Sequence, residues 1–357
     1  MSVVINSRFL TQSITGVQRF AIEISLRIKK LIPEAIFVAP PFIKHHSLAE
    51  ALEVREVGLL NSHLWEQIEL PRFLKMNKNP LLINFTNTAP LLYKPQIVTI
   101  HDLAFKVNPK WFSKSFVLLY DFLIPRIAKN SERIITVSQS SKNELIKVFD
   151  LDPNKISIVN NAVNILRIPD NVNNTNQLNL KKFILAVGSI DPRKNLGNLI
   201  KAFTLVKSSG YKLIIIGGKS NVFASSDLVN NLNEEIIYTG YLSDEELAFF
   251  YSHADLFIYP SLYEGFGIPP LEAMSYGCPT IVSNISSLKE VCGEASIFVN
   301  PNNIESIASA IDSVLGNVTT KNKLIAAGKK QIKKYNWEAS AKRVFSLIKE
   351  TEVSKAE

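Results

Sequence analysis

The sequence contains very little cysteine: Cys278 and Cys292 are the only two among 357 residues. Two isolated cysteines provide neither a disulfide framework nor metal-site spacing, so we expect reduced thiols in a cytoplasmic protein. No apolar run approaches the roughly 20 residues needed to span a bilayer. The first ten residues, MSVVINSRFL, lack a basic segment followed by an apolar one, and we therefore expect no signal peptide.

Several nucleotide-binding and metal-binding motifs are also missing. The sequence has no G-x-G-x-x-G of the kind found in dehydrogenases and no G-x-x-x-x-G-K-[ST] phosphate loop. Its histidines, cysteines and carboxylates have no convincing metal-ligand spacing, so we expect no metal cofactor. The net charge of +8 predicts an anionic partner. Because this charge is dispersed, we expect no nucleic acid, and a membrane surface or a phosphorylated small molecule is favoured.

Short apolar segments alternate with helical patterns along the chain, and this alternation predicts parallel sheets built from βα units. Three strands are predicted in the first half and six in the second: PLLINF, QIVTIHD and ERIITVS, then FILAVGS, KLIIIGG, EIIYTGY, DLFIYPS, PTIVSN and ASIFVN. Ser141 and Glu144 have the spacing of a capping box, which predicts a helix start after the third strand.

The predicted fold class is α/β, with two Rossmann-like parallel-sheet domains facing a central cleft. An N-terminal domain is predicted over residues 1–165 and a C-terminal domain over 181–335. The asparagine-rich stretch between them, 166–180, has no apolar period and is predicted to be a linker. The final segment, 336–357, is predicted to be a helix that crosses back to the N-terminal domain.

The stretch YPSLYEGFGIPPLEAM, residues 259–274, combines a strand end, two glycines and a proline-containing helix start. Exposed amides at a helix start bind anions such as phosphate. Glu264 and Glu272 flank this turn, and carboxylates there would accept hydrogen bonds from ligand hydroxyls. A ligand with phosphates and many hydroxyls is a nucleotide sugar. The alternative for Glu272 is that it only complements the helix dipole.

A second strand end, AVGSIDPRKN at 186–195, carries Gly188 followed by Arg193 and Lys194. These two cations would neutralise a diphosphate. An Arg-Lys pair alone is more often solvated surface. Beside a glycine-ended strand and a second glycine-rich helix start, it favours a phosphate site.

These residues resemble a known family. The stretch EGFGIPPLE, Glu264 to Glu272, resembles the E-x7-E signature of retaining family 4 glycosyltransferases of the GT-B fold. The resemblance extends to four further segments, TGVQRFA, TIHDLAF, VGSIDPRKN and GCPTIVSNISSLKEV. The DPRKN version, together with LWEQIELP at 64–71, looks most like bacterial polysaccharide and O-antigen mannosyltransferases. Many members have an arginine where this chain has Ser189, so Arg193 is expected to supply that charge.

The resemblance implies a role for each matching residue. Glu264, His101, Arg193 and Lys194 would be catalytic, with His101 over the transferred sugar and the two cations at the leaving diphosphate. Glu272 would bind the ribose. The remaining donor-binding residues implied by the resemblance are Gly16, Asp102, Gly188, Tyr241, Ser243, Gly265, Phe266, Gly267 and Ile268, with Tyr241 and Ser243 near the nucleobase.

The implied reaction is the retaining transfer of a hexosyl unit, with mannose from GDP-mannose as the first choice. The implied acceptor is a hydroxyl of a growing, lipid-linked cell-surface glycan, and the implied first domain is the acceptor side. Two alternatives stay open: a nucleotide-sugar epimerase of the same fold, and a non-catalytic nucleotide-sugar-binding subunit. Residues 110–130 mix aromatic and basic side chains, such as Trp111 and Lys114. They predict either peripheral binding to the inner face of the cell membrane or an ordinary amphipathic helix packed on the sheet.

Overall fold

The structure, a computed structural model, describes residues 2–166, 182–218 and 234–353. The predicted linker lies outside these residues except for Leu166. The chain divides into two units. The first comprises Met1–Leu103, Leu118–Asn161 and Asn336–Glu357, and the second comprises Ala104–Val117 and Ala162–Tyr335. Residues 104–117, assigned above to the N-terminal domain, therefore group with the second unit.

Each unit contains one parallel sheet. The strands of the first sheet are β1 (Val3–Asn6), β2 (Ile36–Ala39), β3 (Arg55–Glu56), β4 (Leu81–Asn84), β5 (Gln96–Thr99), β6 (Arg133–Thr136) and β7 (Ile156–Ile158). Those of the second sheet are β8 (Phe183–Val187), β9 (Lys212–Ile216), β10 (Ile236–Gly240), β11 (Leu256–Tyr259), β12 (Thr280–Ser283) and β13 (Ser296–Val299).

Helices follow most of these strands. In chain order they are α1 (Gly16–Leu31), α2 (His46–Ala51), α3 (Ser62–Leu64), α4 (Leu70–Met76), α5 (Ala104–Val107), α6 (Lys114–Asn130), α7 (Gln139–Phe149), α8 (Leu196–Phe203), α9 (Asp244–His253), α10 (Ile268–Ser275), α11 (Ser286–Cys292), α12 (Ile304–Leu315), α13 (Val318–Gln331) and α14 (Trp337–Val353). A turn of π-helix, Trp65–Glu69, joins α3 to α4.

Both sheets share the order of their first six strands, and the first sheet has a seventh. The first runs β3-β2-β1-β4-β5-β6-β7 and the second runs β10-β9-β8-β11-β12-β13. Every pairing is parallel. In each sheet the order reverses once, between β1 and β4 and between β8 and β11. Ligands of open α/β sheets bind at the carboxyl ends of strands beside such a switch point.

The predicted α/β class and its two Rossmann-like sheets are confirmed, and all nine predicted strands are present. These strands are rich in Val, Ile and Leu because both faces of a parallel sheet are covered by helices. The predicted helix cap at Ser141 is wrong. Helix α7 begins three residues earlier, where the Ser138 hydroxyl accepts a hydrogen bond from the Ser141 amide at 3.0 Å.

The final helix, α14, belongs to the first unit and packs against α1. Phe20 and Trp337 meet edge to face with ring centroids 6.2 Å apart, and Arg27 pairs with Glu338 at 2.8 Å. Among the residues that the structure describes, no helix has the length and apolar character needed to cross a bilayer. Cys278 and Cys292 are both buried, and burial raises the pKa of each thiol, that of Cys292 to about 12.

Two strand ends approach each other unusually closely in the second unit. The Gly188 amide, after β8, donates to the Ile216 carbonyl at 2.9 Å. Gly217, after β9, has a φ of +157°, and a Cβ built on it would lie 1.9 Å from the Gly188 carbonyl oxygen. Only glycine therefore fits at this position without moving one of the two strand ends.

We expect Gly217→Ala to lower the free energy of unfolding by about 2 kcal/mol or more, because the added methyl group meets backbone. Gly218→Ala is the matched control, since a Cβ there meets nothing within 4 Å. It should stay within about 0.5 kcal/mol of the parent. Urea denaturation of the three proteins measures the difference. Equal stability of the two variants would contradict the close approach.

Candidate active site

The loop after β8 is fixed by its own side chains. Asp191 is buried, and its carboxylate accepts hydrogen bonds from the Arg193 amide at 3.0 Å and the Ser189 hydroxyl at 2.7 Å. This pattern closes the short helical turn Pro192–Lys194. Ser189, the residue that departs from the family pattern, thus serves the loop itself. Arg193 Nε lies 3.6 Å from Asp191 Oδ1.

Asn195 joins this loop to the loop after β11. It adopts a left-handed conformation, with a φ of 57°, which asparagine tolerates better than most residues. Its side-chain amide donates to the carbonyls of Pro260 at 3.1 Å and Pro301 at 2.7 Å. The Leu262 amide also donates to the Arg193 carbonyl at 2.8 Å. The two predicted segments therefore lie side by side at the switch point of the second sheet.

Lys194, Glu264 and Tyr259 form a buried charged cluster there. Lys194 Nζ lies 2.6 Å from Glu264 Oε1 and 2.5 Å from the Tyr259 hydroxyl. The Tyr259 hydroxyl in turn donates to Glu264 Oε1 at 2.8 Å. The side chains of Lys194 and Glu264 are 11% and 9% exposed. The structure therefore brings together one predicted cation and one predicted carboxylate that are 70 residues apart.

The electrostatics of this cluster keep Glu264 ionised. Burial alone would raise the pKa of Glu264, but the positive charges of Lys194 and Arg193 and the hydrogen bonds from Lys194 and Tyr259 outweigh it. Its pKa therefore lies below the ordinary value. Tyr259 stays neutral, because burial and the adjacent Glu264 charge raise its pKa.

The start of helix α10 has the predicted glycine-rich form. Gly267 has a φ of +92°, and a Cβ there would lie 2.4 Å from Leu288 Cδ2. Pro269 occupies the first turn, where its missing amide costs no hydrogen bond. The Phe266 side chain is buried and packs edge to face on Tyr335 at 5.3 Å. Gly265 and Phe266 can thus offer ligands only backbone groups here, whereas Ile268 is half-buried.

Glu272 lies one turn further along α10. Its Oε2 accepts a hydrogen bond from the hydroxyl of Tyr251 at 2.9 Å. Tyr251 is 2% exposed and stacks on Tyr276, with 6.0 Å between ring centroids. Glu272 itself is half-buried. Each glutamate therefore has its own buried tyrosine, Tyr259 for Glu264 and Tyr251 for Glu272.

The two residues predicted beside the nucleobase differ in their environments. Ser243 caps helix α9: its hydroxyl accepts from the Glu246 amide at 3.2 Å, and Glu246 Oε2 accepts from the Ser243 amide at 2.8 Å. Its side chain thus has a structural role. Tyr241 is 72% exposed. The assignment of both to the nucleobase stays a prediction.

Three predicted residues belong to the first unit. His101 is buried, and its Nε2 lies 3.0 Å from the Phe85 carbonyl. Because a carbonyl only accepts, Nε2 carries the proton. Burial lowers the pKa of His101, against the Phe85 hydrogen bond and the Asp102 charge. Asp102 is half-buried, and Gly16 is exposed at the first position of α1. Their roles toward a donor stay predictions, as does the absence of a metal.

Sequence reasoning missed Tyr259, Tyr251 and Asp191. Tyr259 is the last residue of β11 and lies in the quoted stretch, so its position at a strand end was an available signal. Tyr251 is 21 residues from Glu272 and lies on a different helix, and no local pattern links the two. Asp191 comes three residues after Gly188, which ends the strand, and directly before Pro192. An aspartate before a proline is typical of a helix-capping residue.

Two family models match the chain. Glycosyltransferase Family 4 matches residues 14–167, and Glycosyl transferases group 1 matches residues 169–331. The chain is 28% identical to O-antigen chain mannosyltransferase B of Escherichia coli, covering 98% of this chain and all of the relative. It is 33% identical to O-antigen chain mannosyltransferase RfbU of Salmonella typhimurium, over 68% of this chain and 66% of the relative.

A solved structure has the same fold. HepE from Anabaena, crystallised with UDP and glucose, superposes with a TM-score of 0.77 over 98% of this chain and 100% of its own, at 16% identity. This likeness shows that the chain has the GT-B fold. The chain belongs to the glycosyltransferase family whose two domains these models describe, and the predicted family and enzyme class, a hexosyltransferase, are confirmed.

Because the pKa of Glu264 is lowered in the folded protein, its ion pair stabilises the fold above the unfolded pKa near 4.5 and loses this effect as the pH falls. We expect Glu264→Gln to lower the free energy of unfolding by about 3 kcal/mol at pH 7, since it leaves Lys194 buried without its counter-charge. The difference from the parent should shrink below pH 4.5. Urea denaturation across this range tests it, and a difference independent of pH would contradict the assignment.

Proposed function

We propose that this enzyme transfers a mannosyl unit from GDP-mannose, with retention of configuration, to a hydroxyl of a growing, lipid-linked cell-surface glycan. The observation that carries the proposal is the buried Lys194–Tyr259–Glu264 cluster beside the glycine-rich start of α10. The mannosyl choice is supported by relatives named O-antigen chain mannosyltransferases. UDP in the HepE crystal supports a nucleotide diphosphate sugar as the general donor class.

The chemistry follows from the charges. The anomeric carbon–oxygen bond to the diphosphate breaks, and negative charge develops on the leaving phosphate. Lys194 and Arg193 provide fixed positive charge, and the amides at the start of α10 provide hydrogen bonds. These cations and amides are already held in place by the fold, so they need not reorganise as charge develops. This preorganisation is the source of electrostatic catalysis. The acceptor oxygen attacks on the same face, and its proton passes to the departing phosphate oxygen.

Glu264 prepares the site before the donor arrives. Its carboxylate holds Lys194 at 2.6 Å and so keeps a charged amine in a largely water-excluded position. When the diphosphate binds, Lys194 turns toward it, and Tyr259 keeps its hydrogen bond to Glu264. Glu264 Oε1 has then lost one of its two partners and can accept a hydrogen bond from a hydroxyl of the transferred sugar. Glu272, held by Tyr251, binds the ribose.

We further propose that the enzyme works on the membrane surface through helix α6. Leu118 and Phe122 on this helix are 75% and 50% exposed, and Arg126 lies over the Phe122 ring at 4.0 Å. Apolar side chains beside cations suit an anionic bilayer interface. Trp111, included in the sequence prediction, is only 8% exposed and packs against Tyr263, so it is not part of this surface.

Donor turnover with and without a lipid-linked mannosyl acceptor tests the reaction. Transfer that requires acceptor, with the product's anomeric configuration matching the donor's by NMR, is the expected result. Release or interconversion of the sugar without acceptor would identify an epimerase instead. Binding of GDP-mannose without any turnover would identify a non-catalytic subunit.

Replacing each of the two glutamates should change a different kinetic constant. Glu272→Ala should mainly raise the donor KM, because the ribose contact is the same in ground and transition states. Glu264→Ala should mainly lower kcat, by about 10- to 100-fold, because charge develops beside it. Two milder substitutions should show the same difference: Tyr251→Phe should mainly raise the donor KM, and Tyr259→Phe should mainly lower kcat. Steady-state kinetics on folded variants decides, and full kcat in Glu264→Ala would disprove the division.

Replacing Leu118 and Phe122 by serine should reduce sedimentation with vesicles that contain anionic lipid, because it removes the apolar part of the proposed contact. Salt should weaken binding of the parent, because screening removes the charge attraction. Leu92→Ser, 93% exposed on a loop of the first unit, is the control. A parent that stays in the supernatant at low salt would contradict the membrane proposal.

A further inference from the structure

A second buried charged cluster lies at the switch point of the first sheet. Arg8 follows β1 and is 4% exposed, and Glu66, in the π-helical turn, is fully buried. Arg8 Nε donates to Glu66 Oε1 at 3.2 Å, and Arg8 Nη2 donates to the hydroxyl of Thr88, after β4, at 2.7 Å. Asn6 also donates to Glu66 Oε1, at 2.9 Å.

Residues next to Glu66 also anchor the segment LWEQIELP, residues 64–71. Trp65 donates its indole N–H to the Val57 carbonyl at 2.6 Å. Gln67 bonds the backbone at Ala89 and Leu91, each at 2.9 Å. Glu69 accepts from the amides of Leu59 and Leu60. Three side chains besides Glu66 therefore anchor this turn.

Stability alone is a weak reason for this ion pair. A buried Arg–Glu pair is commonly no more stabilising than apolar side chains of the same volume. Turns of π-helix are rare and occur frequently at functional sites. Burial alone would raise the pKa of Glu66, but the Arg8 charge and the neighbouring His63 and Thr88 side chains lower it to about 2. Glu66 is thus ionised at the switch point of the sheet, where it is paired with Arg8.

His63 connects Glu66 to the protein surface. Glu66 Oε2 faces His63 Nδ1 at 3.5 Å, and the His63 side chain is 26% exposed. A carboxylate beside Nδ1 favours the tautomer that carries its proton there. In that tautomer His63 Nε2 is a hydrogen-bond acceptor. The distance is longer than an ordinary hydrogen bond, as is common in sites without substrate.

Tyr120 completes the cluster. Its ring meets the His63 ring edge to face, with centroids 6.2 Å apart, and it is half-buried. Burial raises the pKa of Tyr120 to about 12, with Arg8 opposing and Glu66 and Asp102 adding to the effect. Its hydroxyl therefore stays protonated and able both to donate and to accept. An imidazole acceptor beside a phenol hydroxyl and an aromatic ring suits a sugar, which presents hydroxyls and C–H faces.

We propose that His63 and Tyr120 bind the sugar acceptor of the reaction, and that the buried Arg8–Glu66 pair positions His63 for this contact. This inference rests on the proposed glycosyl transfer, and it names the residues that select the acceptor. His63 Nε2 accepts a hydrogen bond from one acceptor hydroxyl, and the Tyr120 hydroxyl binds a second. Arg8 and Glu66 are positioning residues, since neither is exposed to the ligand.

The first test measures both substrates. We expect His63→Gln and Tyr120→Phe each to raise the KM for a mannosyl acceptor about tenfold, the effect of one lost hydrogen bond to a ligand. The donor KM should change less than twofold. Glu66→Gln should shift the acceptor KM in the same direction, if it folds. His46→Gln is the matched control, because this histidine is exposed at the start of α2 in the same unit.

A second test needs no donor. Saturation-transfer NMR measures binding of methyl α-mannoside, methyl α-glucoside and methyl α-galactoside to the parent, His63→Gln and His46→Gln. Binding of at least one glycoside that is weakened by His63→Gln alone supports the site. Equal binding to all three proteins, or no binding to the parent, overturns it. Failure of GDP-mannose turnover with His63-dependent glycoside binding would refute the proposed donor and leave the acceptor site standing.

Discussion

A buried lysine requires a counter-charge, and in this protein that requirement organises the second sheet. Lys194 follows β8 and its partner Glu264 follows β11. One ion pair therefore links the two strand ends at which the strand order reverses. Asp191, Asn195 and the Leu262 amide hold the backbone on either side of it. The cost of removing two charges from water is met by a third group, the Tyr259 hydroxyl, which satisfies both.

The first sheet also has a buried ion pair at its switch point. Arg8 leaves β1, Thr88 follows β4, and Glu66 comes from a helical turn between them in sequence. Both units thus place a buried cation and carboxylate at the carboxyl ends of the strands beside the switch point. Parallel strands leave unpaired backbone groups and outward-pointing loops at this edge, so polar side chains collect there in either sheet. The two clusters differ in exposure: the Lys194 and Glu264 side chains are 11% and 9% exposed, whereas those of Arg8 and Glu66 are 5% and 0% exposed beside a more exposed His63.

The sequence was most informative where patterns are local. All six strands of the second sheet were predicted, because each is a short run of branched apolar residues ending in glycine, proline or asparagine. In the first sheet β1, β2, β3 and β7 were not identified; β3 has only two residues. The glycine turn at Gly267 was likewise evident. The pairing of Arg8 with Glu66 spans 58 residues, and the role of Tyr251 depends on the packing of two helices. Such contacts are set by the folded topology, and no spacing in one sequence encodes them.

The burial of both cysteines makes this chain convenient for chemical labelling. Cys278 and Cys292 are 3% and 0% exposed, and the raised pKa of each leaves almost no reactive thiolate at neutral pH. A cysteine introduced at an exposed position would therefore react with a maleimide well before either native thiol. One dye could thus be attached to each unit, for example in place of Met76 and Val318, which are 84% and 71% exposed, without first removing the native cysteines.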